Sequence, residues 1–421
     1  MFLCAILRCM DSEDKLQILG TYDASYDAEG RPRTVRRPPL GQKNGPGGIF
    51  YADVGGGGCV PLLRVLMTNV CENDCRYCAI NCHRQVRRTS FQPEELARTF
   101  VEMWQRRLVT GLFLTSGVAG GAAKTAERML TTVEILRQRE RFSGYIHLKL
   151  MPGQPADYIE RAVALADRVS VNLEAATAEH LARIAPRKSY GLLLPPMEEV
   201  RRLQQRYPGQ LRAGQITQLV VGAAGESDRQ IMETSQGLYD RLAMRRVYYS
   251  AYQPVCGEAL APPVPPLRQH RLYQADWLLR FYGFRFPDLP FETGGSLPRD
   301  VDPKAAWALL HPERFPLEVN RATYDELLRV PGIGPVSARR ILKLRSAHAF
   351  GDLKELARLG VAVKRARQFV LLDGRYPGDR PAEGGQPRAV GGPFDKLRAG
   401  LDPAQLSLWS DDVQDLAPAV A

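Results

Sequence analysis

Short apolar runs alternate with stretches of helical period between about residues 60 and 285. The runs Leu62–Thr68, Gly111–Thr115, Gly144–Leu150, Arg168–Leu173, Gln215–Gly222 and Arg246–Ala251 read as strands. Between them, Pro93–Leu108, Thr125–Arg139, Pro155–Ala166, Pro196–Arg206 and Ser227–Ala243 repeat apolar positions at the spacing of a helix with one face on a core. Pro266–Tyr282 supplies a further stretch of this kind. Repeated strand-helix units make successive strands parallel and join them by right-handed crossovers. The expected fold class is therefore α/β, with six units in a partial (β/α)6 TIM-like barrel. A flavodoxin-like open sheet is the competing arrangement.

Punctuating residues divide the chain further. Residues 27–58 are dense in Gly, Pro and Arg and end in Gly55-Gly56-Gly57-Gly58, so they read as an irregular lead-in. Residues 1–58 are thus expected to form an N-terminal extension, and 59–290 the barrel. The Pro- and Gly-rich stretch Phe286–Pro303 precedes a small all-α unit at 304–378. The remainder, 379–421, is dense in Pro, Gly and Asp and is expected to be disordered.

Apolar residues make up 44% and charged residues 24% of the 421, which is ordinary globular composition. The formal net charge of +11, with an isoelectric point near 9.3, favours a polyanionic partner, nucleic acid ahead of an anionic membrane. A basic surface without a partner fits the same numbers. No apolar run is long enough for a membrane span. The start MFLCAILRCM is short and runs at once into Asp11, Glu13 and Asp14, unlike a secretion signal. The expected compartment is the reducing cytoplasm, where the eight cysteines serve as metal ligands or free thiols rather than disulfides.

The main chemical signal follows the first candidate strand. Cys71, Cys75 and Cys78 are spaced C-x3-C-x2-C on one loop, which suits a single 4Fe-4S cubane. Three protein ligands for four irons leave one iron free to chelate the amino and carboxylate groups of S-adenosylmethionine. An electron from the reduced cluster then cleaves the sulfonium to give a 5′-deoxyadenosyl radical. Two other readings stand beside this one. Cys82 as a fourth ligand would give a closed electron-transfer cluster, and zinc would need a second ligand pair. Tyr77, just before the third ligand, can pack on an adenine ring. Cys4, Cys9, Cys59 and Cys256 are most simply spare thiols.

The cysteine loop resembles that of the radical SAM superfamily. Further segments narrow the resemblance: Leu16–Asp23, Gly111–Gly117, Gly144–Lys149, Arg168–Glu174, Val247–Ser250, His270–Trp277 and Val330–Gly334. Together they resemble a family of DNA modification/repair radical SAM proteins associated with a uracil-DNA-glycosylase-like partner, over about residues 16 to 375.

In parallel sheets ligands bind beyond the carboxyl ends of the strands, and the superfamily's S-adenosylmethionine contacts lie there too. Thr115, Ser116 and Gly117 match the position that binds the methionine ammonium, although they lack the Gly-Gly-Glu often found there. Asn172 and Glu174 are in phase on the fourth strand, with Glu174 suited to ribose hydroxyls or the ammonium. Gly222 and Glu226 resemble the adenine-binding strand end, with the Glu one residue late. His147 and Lys149 share a face of the third strand, as do Gln215 and Thr217 on the fifth, and both pairs are expected to point into the barrel lumen, where polar groups are costly unless paired or used. His147 and Lys149 are the candidate catalytic or substrate contacts; a satisfied core histidine is the competing reading. Tyr248, Tyr249 and Tyr252 read chiefly as packing.

The C-terminal segment Tyr324–Lys343 reads as helix, tight turn, helix. Pro331 ends the first helix, Gly332 and Gly334 permit a tight turn, and Pro335 or Ser337 opens the second. Backbone amides at that helix start, with Ile333, Arg339, Arg340 and Lys343 nearby, suit a phosphate. Residues 319–375 carry 12 Lys and Arg against 5 Asp and Glu. The segment resembles a helix-hairpin-helix DNA-binding motif, with Gly351–Phe369 as a degenerate second copy; a protein-docking module is the competing reading. In the tail, Gln405, Leu406, Leu408 and Trp409 resemble a sliding-clamp-binding peptide.

The function expected is a cytoplasmic radical S-adenosylmethionine enzyme that modifies or repairs nucleic acid, DNA first, fed by a reductase such as flavodoxin or ferredoxin. The rivals are a radical enzyme for RNA or a small nucleotide, and a non-catalytic iron-sulfur protein that senses redox state on DNA.

Overall fold

A computed structural model describes residues 11–21, 48–55, 58–255 and 259–377. The chain divides into two compact units. One comprises Met1–Glu226 with Gly237–Val264, and the other Ser227–Gln236 with Pro265–Ala421. The stretch Pro266–Tyr282, expected as the barrel's last helix, thus groups with the C-terminal unit.

The first unit is built on a seven-stranded sheet in sequential order. Its strands are β1 (Ile49–Gly55), β2 (Gly58–Leu66), β3 (Gly111–Thr115), β4 (Tyr145–Lys149), β5 (Arg168–Ser170), β6 (Gly214–Val221) and β7 (Arg246–Ala251). β1 is antiparallel to β2, and β2 to β7 each run parallel to the next. The connecting helices are α2 (Pro93–Gln105), α3 (Ala122–Glu134), α4 (Ala156–Leu165), α5 (Ala178–Ile184), α6 (Tyr190–Arg206) and α7 (Asp228–Leu242, of which the part to Gln236 groups with the second unit), preceded by α1 (Ser12–Thr21). Sequential order with crossovers of one hand sends every connecting helix to one face, so the sheet curls into a partial barrel. A flavodoxin-like sheet reverses its strand order and is excluded.

Register fixes which side chains face the concave side. Neighbours in a parallel ladder share a face. Leu148, Val169 and Gln215 are in register, and Gln215 Nε2 donates to the carbonyls of Met197 on α6 and Leu242 on α7. That row faces the helices, which corrects the expectation that Gln215 points inward. The alternate row, Arg64, Phe113, His147 and Arg168, faces the concave side.

Three departures from the sequence pattern have local causes. β1 lies within the stretch read as irregular, where its apolar run Ile49-Phe50-Tyr51-Ala52 is masked by surrounding glycines. α6 starts at Tyr190 after the Ser189 cap, six residues before Pro196, because Pro195 and Pro196 are both accommodated inside the helix. β5 stops at Ser170, short of the expected Leu173.

The second unit contains α8 (Pro266–Phe281), α9 (Pro303–Leu310), α10 (Tyr324–Arg329), α11 (Pro335–Arg345), α12 (Leu353–Arg358) and α13 (Val363–Ala366), with the short parallel pair β8 (Leu317–Glu318) and β9 (Val370–Leu371). Two hairpins, α10–α11 and α12–α13, carry glycines of positive φ at matching turns: Gly332 at 89° and Gly360 at 86°. The turns interlock, with Ala362 N donating to Gly332 O at 2.9 Å and Arg340 Nη1 to Leu359 O at 3.2 Å. A Cβ on Gly332 would meet Ala362 O at 2.6 Å. Gly332→Ala is therefore expected to destabilise the hairpin pair by about 1–3 kcal/mol, measured as a lower denaturation midpoint.

Lys304 on α9 is buried and donates to Ile333 O at 2.5 Å, with its ammonium 4.6 Å from the centre of the Tyr282 ring. Burial, then the charge of Arg365, holds its pKa down to about 7. The unfolded chain therefore binds more protons above pH 7. Stability should rise with pH from about 7 toward the ordinary lysine range, by at most about 1.4 kcal/mol per pH unit. Lys304→Met should flatten that rise in thermal denaturation measured between pH 7 and 9.5.

Among the described residues no helix is long and apolar enough to cross a membrane.

Candidate functional site

The loop after β2 carries Cys71, Cys75 and Cys78 as free thiols. Its path is set by buried polar side chains. Asn69, fully buried, donates to Arg87 O and accepts from Thr89 N, both at 2.8 Å. Asn81 donates to Cys75 O at 3.1 Å. Arg88 donates to the carbonyls of Asn69, Ile80, Asn81 and Arg84, closing the loop on itself. Gly117, beyond β3, lies against the same loop, where a Cβ would collide with Val70 O and meet Cys71 Cβ at 3.1 Å. Gly117→Ala should push the loop outward and lower the iron bound per chain after anaerobic reconstitution, as assayed by chelation.

The thiols are electrostatic neighbours. Burial pushes the Cys75 thiol up, against the pull of Lys188, and pushes Cys78 up to about 12, with Cys75 adding to it. Cys71 raises both. Three neighbouring thiolates would repel one another, and iron offsets that cost. Three thiols within eight residues of one loop are a donor set suited to an iron-sulfur cluster, whereas a structural zinc takes four ligands, commonly in two separated pairs.

Glu174 lies opposite this loop. Its φ of 69° is unusual for a residue other than glycine. After β5 stops, the backbone rejoins the sheet through Glu174, which donates to Gln218 O at 2.9 Å and accepts from Val220 N at 2.7 Å. Asn172 and Glu174 are therefore not in phase on one strand, as the sequence suggested. One Glu174 oxygen accepts from Lys188 Nζ at 2.8 Å. The other, Oε2, is buried with no hydrogen-bond partner among the described residues. Burial opposes the Glu174 charge, but Lys188 and then Lys149 outweigh it and hold the carboxyl below its usual range. An orphaned carboxylate oxygen beside a thiol cluster suits an ammonium or hydroxyl of a bound cofactor. Tyr77 is buried nearby, its hydroxyl pushed well up by burial and by the charges of Cys75 and Glu174.

The remaining sites expected from sequence fall as follows. Thr115 is buried at the end of β3, and Ser116 Oγ donates to Gly117 O at 2.6 Å. Gly222, with φ of 82°, donates its N–H to Glu226, whose other oxygen accepts from Ala224 N at 3.2 Å. Glu226 thus closes its own turn, an intramolecular role. His147 is buried, bonded to Ser170 Oγ at 2.8 Å and stacked on Phe113 at 4.0 Å, while Lys149 acts on Glu174. Lys188 is not singled out by the sequence, where Arg187-Lys188 is an ordinary basic pair.

On the hairpins, Gly334 caps α11 and Pro335 is its first residue. Ser337 and Ile333 are buried, so neither side chain reaches a surface ligand; Ser337 does not open the helix. Arg339, Arg340 and Lys343 are exposed on α11. The peptide Gln405, Leu406, Leu408 and Trp409 lies outside the described residues, as do Cys4, Cys9 and Cys256.

Residues 65–236 match the family model of the radical SAM superfamily, and residues 316–363 that of the helix-hairpin-helix motif. No curated protein matches the chain. Among solved structures it is similar to the FeFe-hydrogenase maturase HydG from Carboxydothermus hydrogenoformans, at 14% identity over 52% of this chain and 51% of that one, with a TM-score of 0.42. It is also similar to methylornithine synthase (PylB), at 15% identity over 50% and 60% and a TM-score of 0.41. A radical SAM methyltransferase from Sphaerobacter thermophilus gives 16% identity over 53% and 64% and a TM-score of 0.40. The chain thus spans between about half and two thirds of these proteins.

Proposed function

Starting from a radical SAM enzyme that also carries a helix-hairpin-helix motif, we propose that its substrate is nucleic acid, and specifically duplex DNA that it modifies or repairs. The observation that carries this reading is the α11 surface. Exposed Arg339, Arg340 and Lys343 follow a helix start opened by Gly334 and Pro335, a pairing of fixed charge and backbone amides that suits phosphates without reading bases.

The superfamily's cofactors are a 4Fe-4S cluster and S-adenosylmethionine, and bound together they supply a carbon radical able to abstract hydrogen from an unactivated C–H bond. In this chain Cys71, Cys75 and Cys78 would hold the cluster. Glu174 would accept a hydrogen bond from the S-adenosylmethionine ammonium or ribose, and Thr115, Ser116 and Gly117 would line the methionine end. Lys149 and His147 face the concave side, where they meet the substrate or hold its surroundings. If the target atom lies inside a duplex stack, the nucleotide must be extruded.

The finer family reading carries proposals of its own: a uracil-DNA-glycosylase-like partner, a flavodoxin or ferredoxin donor, sliding-clamp docking through the tail and a cytoplasmic location. Fluorescence anisotropy with labelled duplex DNA and structured RNA tests the substrate class. Duplex DNA should bind more tightly, with log affinity falling linearly against log salt by about 0.9 per phosphate engaged. Equal or tighter binding of RNA would move the reading to RNA.

A further inference from the structure

We propose that Trp277, braced by Phe281 on α8, is a stacking platform for an unpaired base beside the hairpin turn, which makes the preferred ligand duplex DNA with a base out of its pair. The proposal rests on the nucleic-acid reading of α11. Trp277 is 49% exposed, and Phe281, one turn on, is 46% exposed. The two rings touch, with centroids 4.9 Å apart and planes tilted by 52°. α8 packs on its unit through Leu272, Ala275, Asp276 and Leu278, so the aromatic pair is no part of that core. Arg280 donates to the fully buried Asp276 at 2.8 and 2.6 Å, and its guanidinium lies 4.6 Å from the centre of the Phe281 ring. An ion pair rooted in the core therefore holds Phe281, and Phe281 backs Trp277. Two large rings side by side on a braced helix form a patch, not a scattered apolar residue.

The end of α8 is fastened to the hairpin turn. Tyr282, next to Phe281, brings its hydroxyl to Gly334, where a Cβ would meet it at 3.2 Å. Lys304 spans the same junction, with its ammonium 4.6 Å from the centre of the Tyr282 ring and donating to Ile333 O at 2.5 Å. Arg329, the last residue of α10, donates to Gly283 O at 3.0 Å and to Asp288 Oδ2 at 3.2 Å. The aromatic face is thus continuous with the turn whose amides open α11. Phosphate contacts there set position without reading bases. An aromatic face beside them adds a contact that an unstacked base can make, whereas the bases of an intact duplex already cover one another's faces.

Fluorescence anisotropy compares a matched duplex with the same duplex carrying one unpaired adenosine, using the full chain, Trp277→Ala and Trp277→Phe. The native chain should bind the duplex with the unpaired base about tenfold more tightly, the scale of one stacked base. Trp277→Ala should erase that preference and keep the native salt slope, because the phosphate contacts stay. Trp277→Phe keeps an aromatic face and should retain most of the preference. Equal binding of both duplexes by the native chain, a preserved preference in Trp277→Ala, or an equal loss on both duplexes overturns the proposal and leaves the hairpin reading standing. Binding of neither duplex by the native chain overturns both. Self-association that disappears in Trp277→Ala while its DNA binding stays native would overturn the proposal and make this face a contact between copies of the chain.

Discussion

Replacing Cys71, Cys75 or Cys78 singly by alanine abolishes reductive cleavage of S-adenosylmethionine, a loss of at least about a thousandfold, or roughly 4 kcal/mol of barrier. The iron-sulfur absorbance of the reconstituted protein disappears with it. The three thiols lie in one another's field, on a loop whose own polar groups hold it in shape. Loss of one ligand removes one of the three thiolates that would hold the cluster. Cys82 is the informative contrast. Its thiol lies 3.9 Å from the Arg187 guanidinium, and its N–H donates to Asn73 O at 2.9 Å. Cys82→Ala should keep both the absorbance and the cleavage. Loss of the cluster in Cys82→Ala would make Cys82 a fourth ligand and close the site to S-adenosylmethionine.

The second large effect concerns the hairpins. Changing Arg339, Arg340 and Lys343 together to glutamine should lower duplex DNA affinity by roughly a hundredfold at low salt. It should also reduce the slope of log affinity against log salt by about 3, since each of the three cations neutralises one phosphate. All three are exposed, and among the described residues only the Arg340 side chain makes an intramolecular bond, a single donation to Leu359 O. The fold should therefore survive. Cleavage of S-adenosylmethionine in the absence of DNA should be unchanged, because the three belong to the compact unit that does not carry the cysteine loop. Unchanged DNA affinity would make the hairpins a protein-docking module instead.

Much of this was legible in the sequence for physical reasons. β3 and β7 are bounded as their apolar runs suggest, since buried parallel strands are continuous in hydrophobicity. The cysteine spacing and the glycines at 332 and 360 are local signals that survive without any tertiary context. What escaped depended on contacts distant in sequence. β1 has no alternation of its own and exists by pairing with β2. Glu174 is singled out by its sequence position, but for the wrong reason: its placement comes from a positive φ and a single bridge to β6, not from the phase of β5. Glu226 matches a cofactor position by spacing, whereas both its oxygens serve the turn that it closes. Lys188 sits in a basic stretch, and only the docking of residues 184–188 on the cysteine loop turns its charge inward.

The reduced holoprotein, incubated without oxygen with S-adenosylmethionine and uniformly deuterated duplex DNA, tests the account most directly by mass spectrometry of the 5′-deoxyadenosine released. Hydrogen abstraction from DNA puts deuterium into that product, above the level seen with protonated duplex. 5′-Deoxyadenosine free of deuterium from DNA, but labelled when deuterated RNA or free nucleotides are supplied, would contradict it.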